Sequence, residues 1–266
     1  MSLNEHTAQN AAIAWLKSLG YTHIPGNALE RDLKKVVLEN ELKNFLKTTY
    51  PNVPETARNE AFAQFTQHEG MEVAYRNQDF HRKLTQGIDI AWKDEQGNEK
   101  AKHLYPIDYA HPENNSFIVS DEVSIVGKNS RRTDLLIFIN GLPLIVFEFK
   151  NPFDSTEGVE NAHRQLLNYV LDIPQLFDYN AICIASDGLE ALHGLYSSAL
   201  EWFAPWKSLD GDDTEQKAEL QLETLLHGLF PKKTLLDYLQ HFIFHEDHNG
   251  KIIKKGAKYH QYWGIS

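Results

Sequence analysis

The sequence predicts an α/β fold with a mainly helical N-terminal segment, and three observations carry that reading. Through the first seventy residues apolar side chains recur at helical spacing, and from about residue 83 the period drops to two. Two dense apolar runs, residues 134–139 and 144–150, then read as central strands covered on both faces.

Taken in order, Ala11, Ile13, Ala14, Trp15 and Leu19 mark a helix over Thr7 to Leu19, with Gly20 placed to end it. A second helix is expected from about Leu29 to Leu46, on the spacing of Leu33, Val36, Val37, Leu42 and Phe45, and Pro51 and Pro54 break it. Pro54 and Glu55 open a third helix carrying Ala57, Ala61, Phe62 and Phe65. Lys83 to Trp92 reads as a strand, residues 94–98 as a turn, and His103 to Tyr109 as the partner strand. Phe117 to Val126 is a further strand. Beyond the two dense runs, a helix is expected over Val159 to Leu171 and a buried strand over Ala181 to Ser186. Leu189 to Ala199 and Leu220 to Phe230 read as helices, with a polar loop at residues 209–215 between them. The expected organisation is a helical segment over residues 1–70, a core over 71–210, and a helical linker segment over 211–266.

Composition excludes several classes. Of 266 residues 42% are hydrophobic and 24% charged, which is enough apolar material for a core and excludes a wholly disordered chain. No run approaches the ~18–20 uncharged apolar residues of a membrane helix. No secretory signal is visible, and the lone Cys183 in an apolar run cannot form an internal disulfide, so the expected location is cytoplasmic. The net charge of −11, taken alone, argues against a nucleic-acid partner. No phosphate-binding G-x-x-x-x-G-K-[ST] loop occurs, so these residues are not expected to hydrolyse ATP. The stretch His245, Glu246, Asp247, His248 precedes Asn249-Gly250 and reads as a polar turn without a third ligand at zinc-like spacing.

The chemistry concentrates in residues 131–150. Alternation puts Val146, Glu148 and Lys150 on one face of their strand, an expensive place for charge without partners. Asp134, at the start of the preceding strand, supplies a second carboxylate. Two carboxylates and an intervening backbone carbonyl make a hard-oxygen site suited to Mg²⁺, which can polarise a phosphate and acidify a water. Register decides whether they meet. Asn140-Gly141 favours a two-residue hairpin, which pairs 139 with 142, opposes Asp134 to Phe147 and turns the carboxylates to opposite faces. Bringing Asp134 opposite Glu148 needs a one-residue shift, and Pro143, which cannot donate a ladder hydrogen bond, is the place for a bulge or a longer loop. By itself Glu-x-Lys is equally a structural ion pair; Glu41-Leu42-Lys43 matches it inside an expected helix.

An Asp, a hairpin, then Glu-x-Lys resembles the PD-(D/E)XK nuclease core. More narrowly, Arg131, Arg132, Thr133 and Asp134, then Phe138 to Leu144, then Glu148, Phe149 and Lys150 resemble the restriction (R) subunit of type I restriction-modification enzymes. The resemblance extends to residues 37–42 and 50–54, to Ile107, Asp108 and Tyr109, and to residues 114–117. Gln165 and Tyr169 match the Q-x-x-x-Y motif of RecB-like nucleases, and residues 173–177, 186–188 and 258–262 also fit. Two departures stand out: Thr133 replaces the usual Pro, and Phe149 is larger than the usual aliphatic.

The resemblance implies a restriction-endonuclease-like mixed β-sheet flanked by helices. It implies a Mg²⁺-dependent nuclease in which Asp134, Glu148 and the Phe149 carbonyl bind metal, Lys150 assists the water, and Gln165 and Tyr169 support. Arg131 and Arg132 would approach the DNA backbone, and Glu5 could add a helix carboxylate to the metal site. The implied partners are double-stranded DNA and the modification and specificity subunits of the type I complex, with ATP used by a motor domain outside this sequence. A catalytically silent docking module, or a nuclease of another defence or repair system, are the competing expectations. The positive residues near the site are local, so −11 predicts weak, salt-sensitive DNA binding by this chain alone.

Overall fold

The computed structural model describes residues 5–151, 158–211 and 220–264. Its helical N-terminal segment comprises α1 (Glu5–Ser18), the short strand β1 (Thr22–His23), α2 (Glu39–Thr49), α3 (Glu55–Thr66) and α4 (Val73–Gln86). A small hairpin of β2 (Ile88–Lys93) and β3 (Glu99–Leu104) leads to the long strands β4 (Phe117–Val126), β5 (Ser130–Ile139) and β6 (Leu142–Phe149). Next come α5 (Gly158–Asp172), α6 (Pro174–Phe177), β7 (Ile182–Ser186), β8 (Ala191–Gly194) and β9 (Ala204–Pro205). The chain continues through α7 (Gln221–Leu229), α8 (Lys232–His241), a second hairpin of β10 (Ile243–His248) and β11 (Lys251–Gly256), and α9 (Tyr259–Trp263).

Seven strands form one mixed sheet in the order β1-β4-β5-β6-β7-β8-β9. β1 lies parallel to β4 and β6 parallel to β7, and the other neighbours are antiparallel. The parallel β6–β7 pair needs a crossover, which α5 and α6 supply. Every residue of β6 and β7 is buried, as expected of strands with helices on both faces. Phe147 packs against Phe230, just past the end of α7, while its neighbour Glu148 reaches Tyr169 of α5, so successive side chains meet opposite layers. This is the α/β architecture, with its helical N-terminal segment, that the sequence predicts.

The β5–β6 hairpin carries the expected irregularity. Asn140 and Gly141 adopt φ of 50° and 82°, the pair of left-handed conformations that closes a two-residue hairpin matched to strand twist. Ile139 therefore faces Leu142 and Phe138 faces Pro143, but Ile137 faces Ile145, so Leu144 is the extra residue of a bulge. Leu135 then faces Phe147, and the same register continued by one residue sets Asp134 across from Glu148. Both expectations hold: the turn is tight, and the pairing is broken beside Pro143. Gly141 is pinned as well, because a Cβ there would lie 2.3 Å from the Leu38 carbonyl oxygen, whose own N–H donates to Gly141 O at 2.9 Å.

Several expected elements differ. Lys83 is not in a strand. Asn77, Phe80, His81 and Leu84 bury one face of α4, Lys83 pairs with Asp79 at 2.6 Å, and Gly87 (φ 71°) ends the helix before β2 begins at Ile88. The partner strand is Glu99–Leu104 rather than His103 to Tyr109. Residues 29–38 are not the start of α2, because the segment runs along the sheet rim. Leu33 O accepts from Val126 N at 2.8 Å and Arg31 donates to the Ser124 carbonyl. Leu189 to Ala199 is not a helix: Asp187 Oδ1 accepts the N–H groups of Leu189 and Glu190, turning the chain so that β8 pairs back on β7. Residues 245–248 belong to β10, and only Asn249-Gly250 forms the turn. Most of the expected polar loop at 209–215 lies outside the described residues.

Candidate active site

The bulge and the strand ends assemble one polar cluster in an otherwise apolar sheet. Asp134 projects from β5, Glu148 from β6, Lys150 immediately follows β6, and Glu5 begins α1. The Phe149 N–H donates to Asp134 Oδ2 at 2.7 Å, so a side chain takes over the ladder where β5–β6 pairing stops. Lys150 is anchored by its own N–H to Ser186 O at 2.9 Å. Its ammonium donates to Glu148 Oε1, to the Phe149 carbonyl at 2.9 Å and to Glu5 Oε1 at 3.3 Å. Carboxylate oxygens of Glu5, Asp134 and Glu148 lie within 4.8 Å of one another, the only such group of three or more metal-ligating side chains among the described residues. With the Phe149 carbonyl beside them, the donor set is entirely hard oxygen, which fits Mg²⁺ and not a thiol- or imidazole-preferring metal.

From α5, the Tyr169 hydroxyl sits 2.8 Å from Glu148 Oε2 and 2.9 Å from the Arg132 carbonyl oxygen. Gln165 lies one turn earlier on the same helix, on the face that carries Tyr169. Two helices on opposite sides of the sheet thus reach one strand end.

The comparisons with known proteins point the same way. Residues 2–200 match the family model described as "Type I restriction enzyme R protein N terminus". The chain belongs to this family. It is 32% identical to the type I restriction enzyme HindI endonuclease subunit of Haemophilus influenzae over 99% of its own length and 26% of that relative's. It is 31% identical to a Methanocaldococcus jannaschii protein whose name assigns it to the type I restriction enzyme MjaIXP endonuclease subunit, over 99% of this chain and 27% of the relative. A second M. jannaschii protein, named for the MjaVIIIP endonuclease subunit, is 26% identical over 68% of this chain. The chain thus spans about a quarter of the length of the first two relatives it matches.

Within this restriction-subunit N terminus, electrostatics sets the cluster apart. Burial, and then the neighbouring Asp134 charge, push Glu148 up to about 8, against the pull of Lys150. Burial also raises Asp134, opposed by the Phe149 N–H and by Lys150. Burial alone would lower Lys150, but attraction to Glu148, Asp134 and Glu5 outweighs it and holds the ammonium above its ordinary value. Tyr169 is raised by burial and by Glu148, so its hydroxyl stays protonated. All four shifts run upward, and several perturbed titratable groups gathered at one strand end mark a candidate functional site.

The remaining sequence-predicted residues divide. Arg131 is paired with Asp172 at the C-terminal end of α5, through Nε at 2.6 Å and Nη2 at 2.5 Å. Arg132 is exposed and only loosely paired, its Nη1 lying 3.5 Å from Glu122 Oε1. Gln9 was not singled out by the sequence; from α1 its Nε2 donates to the Asp134 carbonyl at 3.2 Å, fixing the strand that carries the carboxylate. Its only sequence signal is a buried polar side chain on the apolar face of a helix, one turn after Glu5. His245 is no ligand: its ring bonds Asn77 Oδ1 at 3.1 Å, and burial lowers it to about 3.

Proposed function

We propose that this chain is a Mg²⁺-dependent DNA endonuclease domain of a type I restriction subunit, hydrolysing phosphodiester bonds. The carrying observation is the convergence of Asp134, Glu148, the Phe149 carbonyl and Lys150 at one strand end, which a bulge alone makes possible. Asp134, Glu148 and the Phe149 carbonyl would hold Mg²⁺, with Glu5 as a fourth oxygen donor. When bound, the ion supplies Lewis acidity to the phosphate and acidifies a water. The chain's own residues do the rest. Asp134 is fixed on both sides, its carboxylate by the Phe149 N–H and its backbone by Gln9. Tyr169 holds Glu148 Oε2 in place, Gln165 sits beside Tyr169 on α5, and Lys150 turns its N–H groups toward charge developing on the attacked phosphate. Of Arg131 and Arg132, the second is the more available to the DNA backbone, because its contact with Glu122 is long and exposed whereas Arg131 is spent on Asp172.

The relatives' names supply the type I assignment, and a complex with modification and specificity subunits, acting on double-stranded DNA in the cytoplasm, is part of the proposal. ATP would be consumed by a motor elsewhere in the full-length protein. With its charge of −11, the isolated chain is expected to bind duplex weakly and with strong salt dependence. In the complete complex, Asp134→Ala, Glu148→Ala or Lys150→Ala should each reduce cleavage by roughly a thousandfold or more while ATP hydrolysis continues. Tyr169→Phe should cost about ten- to a hundredfold, as loss of a supporting bond to a metal ligand does. Full cleavage by any of the three alanine variants overturns the assignment.

A further inference from the structure

The Lys150 ammonium occupies the place a metal would take. A protonated lysine has three N–H donors, and here all three face oxygens of the proposed metal shell: Glu148 Oε1, the Phe149 carbonyl and Glu5 Oε1. Two of the three clustered carboxylates are ion-paired to this one side chain. We propose that Lys150 is an internal stand-in cation, neutralising the carboxylate cluster until a divalent ion displaces it. The proposal rests on reading the cluster as a metal site.

The geometry forces a competition. Mg²⁺ takes its oxygens at about 2.0–2.1 Å in a near-octahedral shell, whereas the ammonium sits at hydrogen-bond distance from the same atoms. Lone pairs turned toward Nζ cannot also be turned toward an ion, and two cations cannot share the space between the carboxylates. Displacement is feasible, since the Lys150 side chain is 29% exposed and its residue lies past the last residue of β6. Its four-carbon stem is flexible. Glu148, by contrast, is 3% exposed at its side chain and held by Tyr169, so the lysine is the member that moves. Each ion that binds must therefore evict a charge already in place, and metal affinity is lower than the oxygen count alone would give. Once evicted, the ammonium is still tethered beside the site, where it can meet an incoming phosphate.

The test is calorimetric titration of Mn²⁺ into the chain and into its Lys150→Gln variant, with Asp134→Asn as a control. Lys150→Gln should bind Mn²⁺ at least about tenfold more tightly. It should also show the larger rise in melting temperature at saturating metal, since its carboxylates are uncompensated without one. Equal or weaker binding by Lys150→Gln overturns the stand-in role and leaves the metal site standing. Binding that survives Asp134→Asn, or absence of binding in both proteins, overturns the metal site and the stand-in role together. A second measurement needs no variant: reductive methylation of Lys150, followed by peptide mass spectrometry with and without Ca²⁺. Faster labelling with Ca²⁺ is expected; an unchanged or slower rate overturns the proposal.

Discussion

Two hairpins in this molecule are closed by the same dipeptide and do opposite things. Asn140-Gly141 joins β5 to β6, and Asn249-Gly250 joins β10 to β11, all four residues at positive φ. In the C-terminal hairpin the register runs unbroken from His248↔Lys251 to Ile243↔Gly256, and most of its side chains are exposed or half-buried. In the sheet hairpin β6 is wholly buried, and the register slips by one residue just past the turn. The turn dipeptide therefore dictates local closure but not the pairing beyond it. What separates the two is Pro143: Lys251 and Ile252 follow the other turn with their backbone donors intact, whereas a proline offers none.

The surroundings differ as sharply as the strands. Asn140 is fully buried, its Oδ1 accepting from Ser116 N at 2.8 Å and its Nδ2 donating to the Pro106 carbonyl and to Asn115 Oδ1. A Cβ on Gly141 would meet the Leu38 carbonyl, while one on Gly250 would meet nothing within 4 Å. Gly141→Ala should thus destabilise by about 3 kcal/mol or more, adding a clash to left-handed strain. Gly250→Ala should stay near 1 kcal/mol, the strain alone. Equal losses in urea denaturation would erase the contrast. Next in size, Asn140→Ala should cost about 2–3 kcal/mol by orphaning buried partners, and Asn249→Ala well under that.

The C-terminal hairpin has its own sensitivity, to pH. Lys254 on β11 is buried, donates to the Asn180 carbonyl at 2.6 Å, and is lowered by that burial to about 7. An unfolded lysine titrates near 10.5. Between those values the unfolded chain holds the extra proton, so stability should rise as pH climbs from about 7 toward 10. Lys254→Met should flatten that rise in thermal melts at several pH values. An acid limb of comparable size comes from His81 and His245, lowered by burial to about 4 and about 3. Their contribution is present above about 6.5 and drains away as pH falls toward those values, since the unfolded chain protonates first. His81→Gln should blunt this acid loss; an unaltered melting profile between pH 7 and 4 would count against it.

How much of this was legible depended on whether the signal was local. The buried strands β4 to β7 and helices α1, α3, α5 and α7 announce themselves through periodicity that tertiary contacts merely confirm. The bulge was legible too, because Asp134 and Glu148 meet only if the register slips by one residue, and Pro143, with no N–H to give the ladder, offers a place for the slip. The errors share a cause. Residues 29–38 and 189–199 carry apolar spacing that a helix and an extended segment satisfy equally, and the decision falls to distant partners such as Val126 N and the β7 edge. The helix over Lys83 is hidden in the sequence because its buried face is completed by Asn77 and His81, both polar. Gln9 is of the same kind: a distance of 125 residues separates it from the carbonyl it holds.

Asp172 closes α5 by gathering several ties at once: the N–H groups of Lys128 and Asn129 on its carbonyl, and the Asn129 and Arg131 side chains on its carboxylate. The tip of the β4–β5 hairpin is riveted to the helix end, three residues from Tyr169. Asp172 and Tyr169 lie within one turn of α5, and the Tyr169 hydroxyl meets Glu148 Oε2. A short run of hydrogen bonds and a single helical turn thus join the outer end of the β4–β5 hairpin to the buried carboxylate.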